Sequence, residues 1–206
     1  MPTMIRGMFC LLLLAASSAV SAQSDPIQPD QLVADAAGAI IGKINSNFET
    51  YSADPGLLEQ VIRSDLLPLL DMHYTARLIL GRAGRQASEQ QVAEFSEAMS
   101  NLLIERYSSG LMNYRSEEQL EVLPLRGDLN ERATRVRTRV RLNQGGFALV
   151  DYVFRKTDDG WKAFDVVIEG ISYVSTYRNQ IMPQVEAEGI DSVVSRLNSG
   201  DLVLQE

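Results

Sequence analysis

The chain has 206 residues, of which 45% are hydrophobic and 22% charged, and its 27 acidic side chains outnumber 19 basic ones for a formal charge of -8. A chain this long buries about 70% of the surface its unfolded form exposes, so neither a metal nor a disulfide is needed to hold a core. The acidic balance argues against nucleic acid, which asks for clustered Lys and Arg, and one histidine with one cysteine leaves little material for a metal site or a thiol nucleophile.

Arg6 supplies a short positive region, residues 8–16 (MFCLLLLAA) an apolar run, and Val20-Ser21-Ala22 small residues of the kind found at a signal-peptidase site. That run is about half of the roughly 20 residues a membrane span needs. The pattern therefore predicts a cleaved export signal over residues 1–22, carrying Cys10 away with it, and a single domain over residues 23–206. After a proline-bearing linker, Val33, Ala37, Ile40, Ile44 and Phe48 recur at helical spacing. Asp54 and Pro55 restart a helix as N-cap and first helical residue, and Leu57, Leu58, Val61 and Ile62 form its apolar face. Ser88-Glu89-Gln90-Gln91 reads as a capping box. The stripe of Val92, Phe95, Met99, Leu102, Leu103, Tyr107 and Leu111 behind it predicts a helix over 88–114.

From residue 119 the period changes from 3.6 to 2, and strand-like runs continue to residue 169, separated by turn signals at Arg126-Gly127-Asp128, Asn143-Gln144-Gly145-Gly146 and Asp158-Asp159-Gly160. The clearest run is 132–142, where Arg135, Arg137, Arg139 and Arg141 alternate with Thr134, Val136, Thr138 and Val140. Leu120, Val122, Val150, Tyr152, Phe154, Phe164, Val166 and Ile168 continue the apolar face, while Glu121, Asp151, Arg155, Asp165 and Glu169 join the arginines. Two helices follow, over 172–187 and 191–198, the second closed by Gly200, and Pro183 should kink or stop the first near Met182. The fold class expected is α+β, with helices packed on one face of a twisted antiparallel sheet of four or more strands.

Few side chains invite chemistry. The four arginines have carboxylates on their own face and can pair across strands on a solvated surface, with a partner-docking role left open. His73 has no second ligand beside it in the sequence and reads as a structural or surface residue, and Asp158-Asp159-Gly160 lacks the spacing of a calcium loop. No G-x-S-x-G, P-loop or G-x-G-x-x-G occurs. What remains is an apolar inventory with hydroxyl handles, Tyr107, Tyr152, Tyr173, Tyr177, Thr134 and Thr138. Taken alone, these residues make either a filled core or the wall of an apolar cavity with a few polar groups.

Two segments, LILGRAGRQASEQQVAEFSEAMSNLLIERY at 78–107 and DYVFRKTDDGWKAFDVVIEGISYVSTYRNQI at 151–181, resemble the MlaC family, also called the toluene-tolerance or Ttg2 auxiliary proteins. The second is the more specific, through Asp151-Tyr152, Trp161-Lys162, Asp165-Val166, Ile168-Glu169-Gly170 and Tyr177-Arg178, and Gly189-Ile190-Asp191 extends the likeness. Ala83-Gly84 departs from it where the family often has an aromatic pair. The resemblance implies a periplasmic carrier of diacyl glycerophospholipid, exchanging cargo between an outer-membrane lipoprotein complex and an inner-membrane ABC transporter complex, without a cofactor and without catalysis. It also implies that acyl chains lie inside and the headgroup outside. The residues expected to face lipid are Phe95, Met99, Leu102 and Tyr107 on the capped helix, then Val122, Val136, Val140, Val150, Tyr152, Phe154, Val166 and Ile168 on the sheet. Tyr173, Val174 and Tyr177 complete the set from the helix that follows. The rival readings are a small-substrate enzyme with a cone-like α+β cavity and an envelope adaptor that binds no lipid.

Overall fold

The computed structural model describes residues 27–205 other than 128, 143 and 144, so the predicted signal over residues 1–22 lies outside the described residues. Pro29 opens α1 (Pro29–Ser46), where its missing N–H costs nothing, and α2 (Phe48–Ala53) follows Asn47. Asp54 caps α3 (Pro55–Val61) by accepting a hydrogen bond from the Gly56 N–H at 3.1 Å. One π-helical turn (Ile62–Leu66) and a 3-10 turn (Leu67–Leu69) lead to α4 (Met72–Gln86). Sequence periodicity does not mark α4, because Gly81 interrupts it at φ 55° and ψ -116°, a backbone state open to glycine. At Gly84 a β-carbon would meet the Arg77 carbonyl oxygen at 2.8 Å, so a glycine is what this turn requires.

The capping box forms: Ser88 Oγ accepts from the Gln91 N–H at 3.1 Å and Gln91 Oε1 accepts from the Ser88 N–H at 3.2 Å. It starts α5 (Glu89–Leu111), which ends before Tyr114 because residues 112–114 tighten into turns. Beyond it the described residues hold a five-stranded antiparallel meander, β1 (Leu120–Val122), β2 (Thr134–Arg141), β3 (Phe147–Thr157), β4 (Gly160–Ile168) and the short β5 (Ile171–Ser172). The α+β class and the antiparallel open sheet are as the sequence pattern implies.

Register places the apolar rows as alternation demands. Val122, Thr138, Val150 and Ile168 stand opposite one another across four strands, and Val136, Tyr152 and Val166 form the next row. The pattern then shifts. A bulge at Val153/Phe154 pairs Phe154 with Ala163, so Ala163 takes the place expected for Phe164. Phe164 instead packs edge-on against Tyr74 of α4 at 5.2 Å. On the opposite face Arg135 pairs with Asp151 at 3.2 Å and Arg139 with Glu121 at 3.6 Å. That face is not wholly solvated, since Val167 is buried and Asp165 accepts hydrogen bonds from Ser172 Oγ and the Val174 N–H at the start of α6 (Tyr173–Glu188).

Of the kink or stop expected near Met182, the stop does not occur: α6 runs through Pro183 to Glu188 before α7 (Ile190–Ser199). Buried Ile181 and Val185 hold it on both sides of the proline, and the Asn179 carbonyl that loses its partner sits on an exposed residue where water can serve it. Packing outweighs the local penalty. Three apolar clusters result: one among α4, α5, α6 and α7, one joining α1, α2, α3 and α5, and one on the sheet against Val33 of α1.

Asp71 ties the helical layer to the sheet. Its Oδ1 caps α4 through the Tyr74 N–H at 3.0 Å, its Oδ2 accepts from Arg155 of β3 at 2.6 Å, and its backbone N–H donates to the Ala163 carbonyl at 2.7 Å. Asp71→Ala should therefore lower stability by about 2 kcal/mol, from a lost cap and a half-buried Arg155 left unpaired. Asp71→Asn, which keeps a capping oxygen, should lose about 1 kcal/mol. Chemical denaturation of ligand-free protein measures both, and equal losses would show that capping contributes nothing.

Candidate functional cavity

Between α1, the second half of α5 and the sheet lies an open-mouthed cavity of about 560 Å³. Its helical wall comes from one face of α1, where Val33, Ala36, Ala37, Ile40, Ile41 and Ile44 follow the i, i+3, i+4 rhythm, and from the second half of α5 through Ser100, Leu103, Ile104, Tyr107, Ser108 and Leu111. Ile62, Leu66, Leu67, Leu69 and Leu70 close one side from the irregular turns after α3. Small residues make the room: Ala36, Ala37, Ala148, Ala163, Ser100 and Ser108 stand where larger side chains would fill it. No charged residue is among the described residues that line it.

Of the residues expected to face lipid, Tyr107, Val140, Val150, Tyr152, Phe154, Val166 and Ile168 meet on this wall. The others pack elsewhere. Phe95 and Met99 are fully buried in the helical core of α4 to α7, with Val174 and Tyr177 in the same core and Leu102 and Tyr173 packed against it. Val136 and Val122 belong to the sheet cluster beneath the wall. The wall residues of α1 and of the turns after α3 are absent from the expected set, although the Ala36-Ala37 pair amid isoleucines was a readable sign of a helix face that leaves space.

The hydroxyl handles divide the same way. Thr138 Oγ1 donates to the Val150 carbonyl at 2.6 Å and Thr134 Oγ1 to the Asn130 carbonyl at 2.8 Å, so both serve the sheet. The hydroxyls of Tyr107 and Tyr177 bond each other at 3.0 Å, with the Tyr173 ring edge-on to both. Burial pushes the Tyr177 phenol up, opposed by its bond to Tyr107 and by Arg106. Tyr152 is different: its phenol is raised by burial, then by the neighbouring phenol of Tyr114, and both rings line the cavity.

A second, polar cleft of about 790 Å³ lies beyond Leu70 and Met72, and its cationic side chains already have partners. Arg155 is held by Asp71, Lys156 by Glu131 at 2.8 Å, and Lys162 donates to the Pro68 carbonyl at 2.6 Å. His73, half-exposed there, faces Glu89 at 3.2 Å. It has no contact with the apolar cavity.

A family model described as MlaC protein matches residues 34–199. The chain belongs to the MlaC family. Among the relatives of this MlaC-family chain, the intermembrane phospholipid transport system binding protein MlaC of Haemophilus influenzae is 26% identical over 172 residues, covering 82% of this chain and 80% of that one. Toluene tolerance protein ttg2D of Pseudomonas putida is 25% identical over 187 residues, covering 90% and 84%. A phospholipid-binding protein of Ralstonia solanacearum, solved in complex with a phospholipid, shares the fold with a TM-score of 0.74 at 24% identity, covering 84% of this chain and 96% of that one. Among the described residues no helix is long and apolar enough to cross a membrane.

Core and cavity respond differently to volume. Phe95→Ala, in the filled helical core, should cost about 3–5 kcal/mol. Ile168→Trp and Val150→Trp enter unfilled space and should leave the denaturation midpoint of ligand-free protein near wild type, where overpacking a filled core would cost about 1–3 kcal/mol. Unfolding of both tryptophan variants would mean that these side chains are packed rather than facing a void.

Proposed function

We propose that this MlaC-family chain is a periplasmic carrier of diacyl glycerophospholipid, with acyl chains in the cavity between α1, α5 and the sheet and the headgroup at its mouth. The observation that carries this reading is the cavity itself, deep, apolar and uncharged among its described lining residues. Each methylene taken from water into such a space is worth about 0.8 kcal/mol, so two acyl chains favour it over solvent by many kcal/mol. The family membership and the names of the relatives from Haemophilus and Pseudomonas support the same cargo.

The carriage proposed needs no bond to form or break, which is why we read the chain as a non-enzyme. His73, the one imidazole, is not among the residues that line the cavity and lies against Glu89. Tails held this way do not leave into water, so cargo must pass to a partner that offers a continuous apolar path, and the partners proposed are the outer-membrane lipoprotein complex and the inner-membrane ABC transporter complex. An export signal over residues 1–22 fits this location.

Protein purified without detergent from a Gram-negative host, extracted with organic solvent and analysed by mass spectrometry, should release phospholipid in at least equimolar amount. His73→Ala should leave that occupancy unchanged. Folded, monodisperse protein that yields no lipid would overturn the carrier reading.

A further inference from the structure

Among the described residues that line the cavity, the hydroxyls of Ser108, Tyr114 and Tyr152 make no hydrogen bond to a described residue, and of these Tyr152 stands on the sheet side of the wall. Ser100 Oγ donates to the Ser96 carbonyl and Tyr107 bonds Tyr177, but the Tyr152 hydroxyl forms no hydrogen bond with any described residue. Tyr152 sits in the middle of β3 with Val136 and Val166 directly opposite on the flanking strands, so neither neighbour can serve it. No buried side-chain polar atom among the described residues lacks a partner, so the Tyr152 hydroxyl opens on the cavity space and is stripped of water only when an occupant fills it; a purely hydrocarbon occupant would then favour phenylalanine. A phenol is protonated at neutral pH in any case, and burial, followed by the Tyr114 phenol, only raises its pKa further, so the group is a hydrogen-bond donor.

We propose that Tyr152 donates a hydrogen bond to an ester carbonyl of the bound lipid and so fixes how deep the glycerol end sits. The inference rests on the phospholipid-carrier reading and adds a positioning residue to it. The acceptor has to be neutral. No lysine, arginine or histidine is among the described residues lining the cavity, so a phosphate or a fatty-acid carboxylate at this depth would be a buried charge without a partner. An ester carbonyl is a good acceptor without charge, and an acyl glycerolipid places it where apolar chain meets headgroup.

The test compares two phospholipids of the same headgroup and chain length, one with acyl ester linkages and one with alkyl ether linkages that lack the carbonyl. Delipidated wild type should bind the diester about tenfold more tightly than the diether, the size of one hydrogen bond that would otherwise go unmade. Tyr152→Phe should bind both with the diether affinity of wild type. The thermal midpoint of ligand-free Tyr152→Phe should equal or exceed that of wild type, since no protein contact is lost. A lowered midpoint, or equal weakening toward both lipids, would make the hydroxyl structural and overturn the assignment. Equal affinity of wild type for diester and diether overturns the assignment alone, whereas binding of neither lipid overturns the carrier reading together with it.

Discussion

Unfilled apolar volume is expensive, and the rest of the structure is arranged around that constraint. Deleting core atoms costs about 24 cal/mol per Å³ of cavity left behind, and the wall atoms around this cavity of about 560 Å³, open on one side, likewise lack the protein contacts that fill a core. Water is a poor filler, because a buried water needs several polar partners and this wall has few. The chain meets the demand by separating functions. Val92, Phe95, Leu80, Ile181 and Val193 fill a core among α4, α5, α6 and α7 with essentially no exposed side chain, and that core carries stability while the neighbouring layer stays hollow.

Helix α5 links the two regions. Its first half contributes Val92, Phe95 and Met99 to the filled core, and its second half contributes Ile104, Tyr107 and Leu111 to the cavity wall. Clamped at one end, the helix cannot swing into the void at the other without disturbing the core. Asp71 does the same work on the sheet side, since its ties to Arg155 and to Ala163 hold Leu70 and Met72 at the cavity edge. The bulge at Val153/Phe154 completes the shape. By exchanging Phe164 for Ala163 it removes an aromatic ring from the wall and gives that ring to Tyr74.

Much of this was legible in the sequence. The Ser88 capping box, the Asp54-Pro55 start and the alternation from Thr134 to Arg141 each rest on short-range chemistry, and each appears where that chemistry places it. α4 was not, because Gly81 and Gly84 disguise a kinked helix in which Gly81 answers to Met182 of α6 and Gly84 to the Arg77 carbonyl earlier in the same helix. Pro183 likewise obeys packing rather than its local preference. The cavity was half legible for a deeper reason. Periodicity reports which face of an element leaves water and is silent on whether protein atoms or a void lie opposite, so the single stripe of α5 runs from filled core into open wall without any change of pattern.

The sheet shows how closely carriage depends on register. Its period of 2 puts Val140, Val150 and Tyr152 on the cavity side while Arg137, Arg139 and Asp151 point outward, so a slip of one residue would exchange the two sets. An arginine turned inward would be a charge in a space with no charged partner among its described lining residues. Two features oppose the slip. Thr138 bonds the Val150 carbonyl across the ladder, which ties a specific side chain to a specific partner residue, and Arg135 and Arg139 find carboxylates only when they face outward. The charged surface thus does more than solvate the protein: by making the wrong register costly on both faces, it keeps the wall free of charge and open to two hydrocarbon chains.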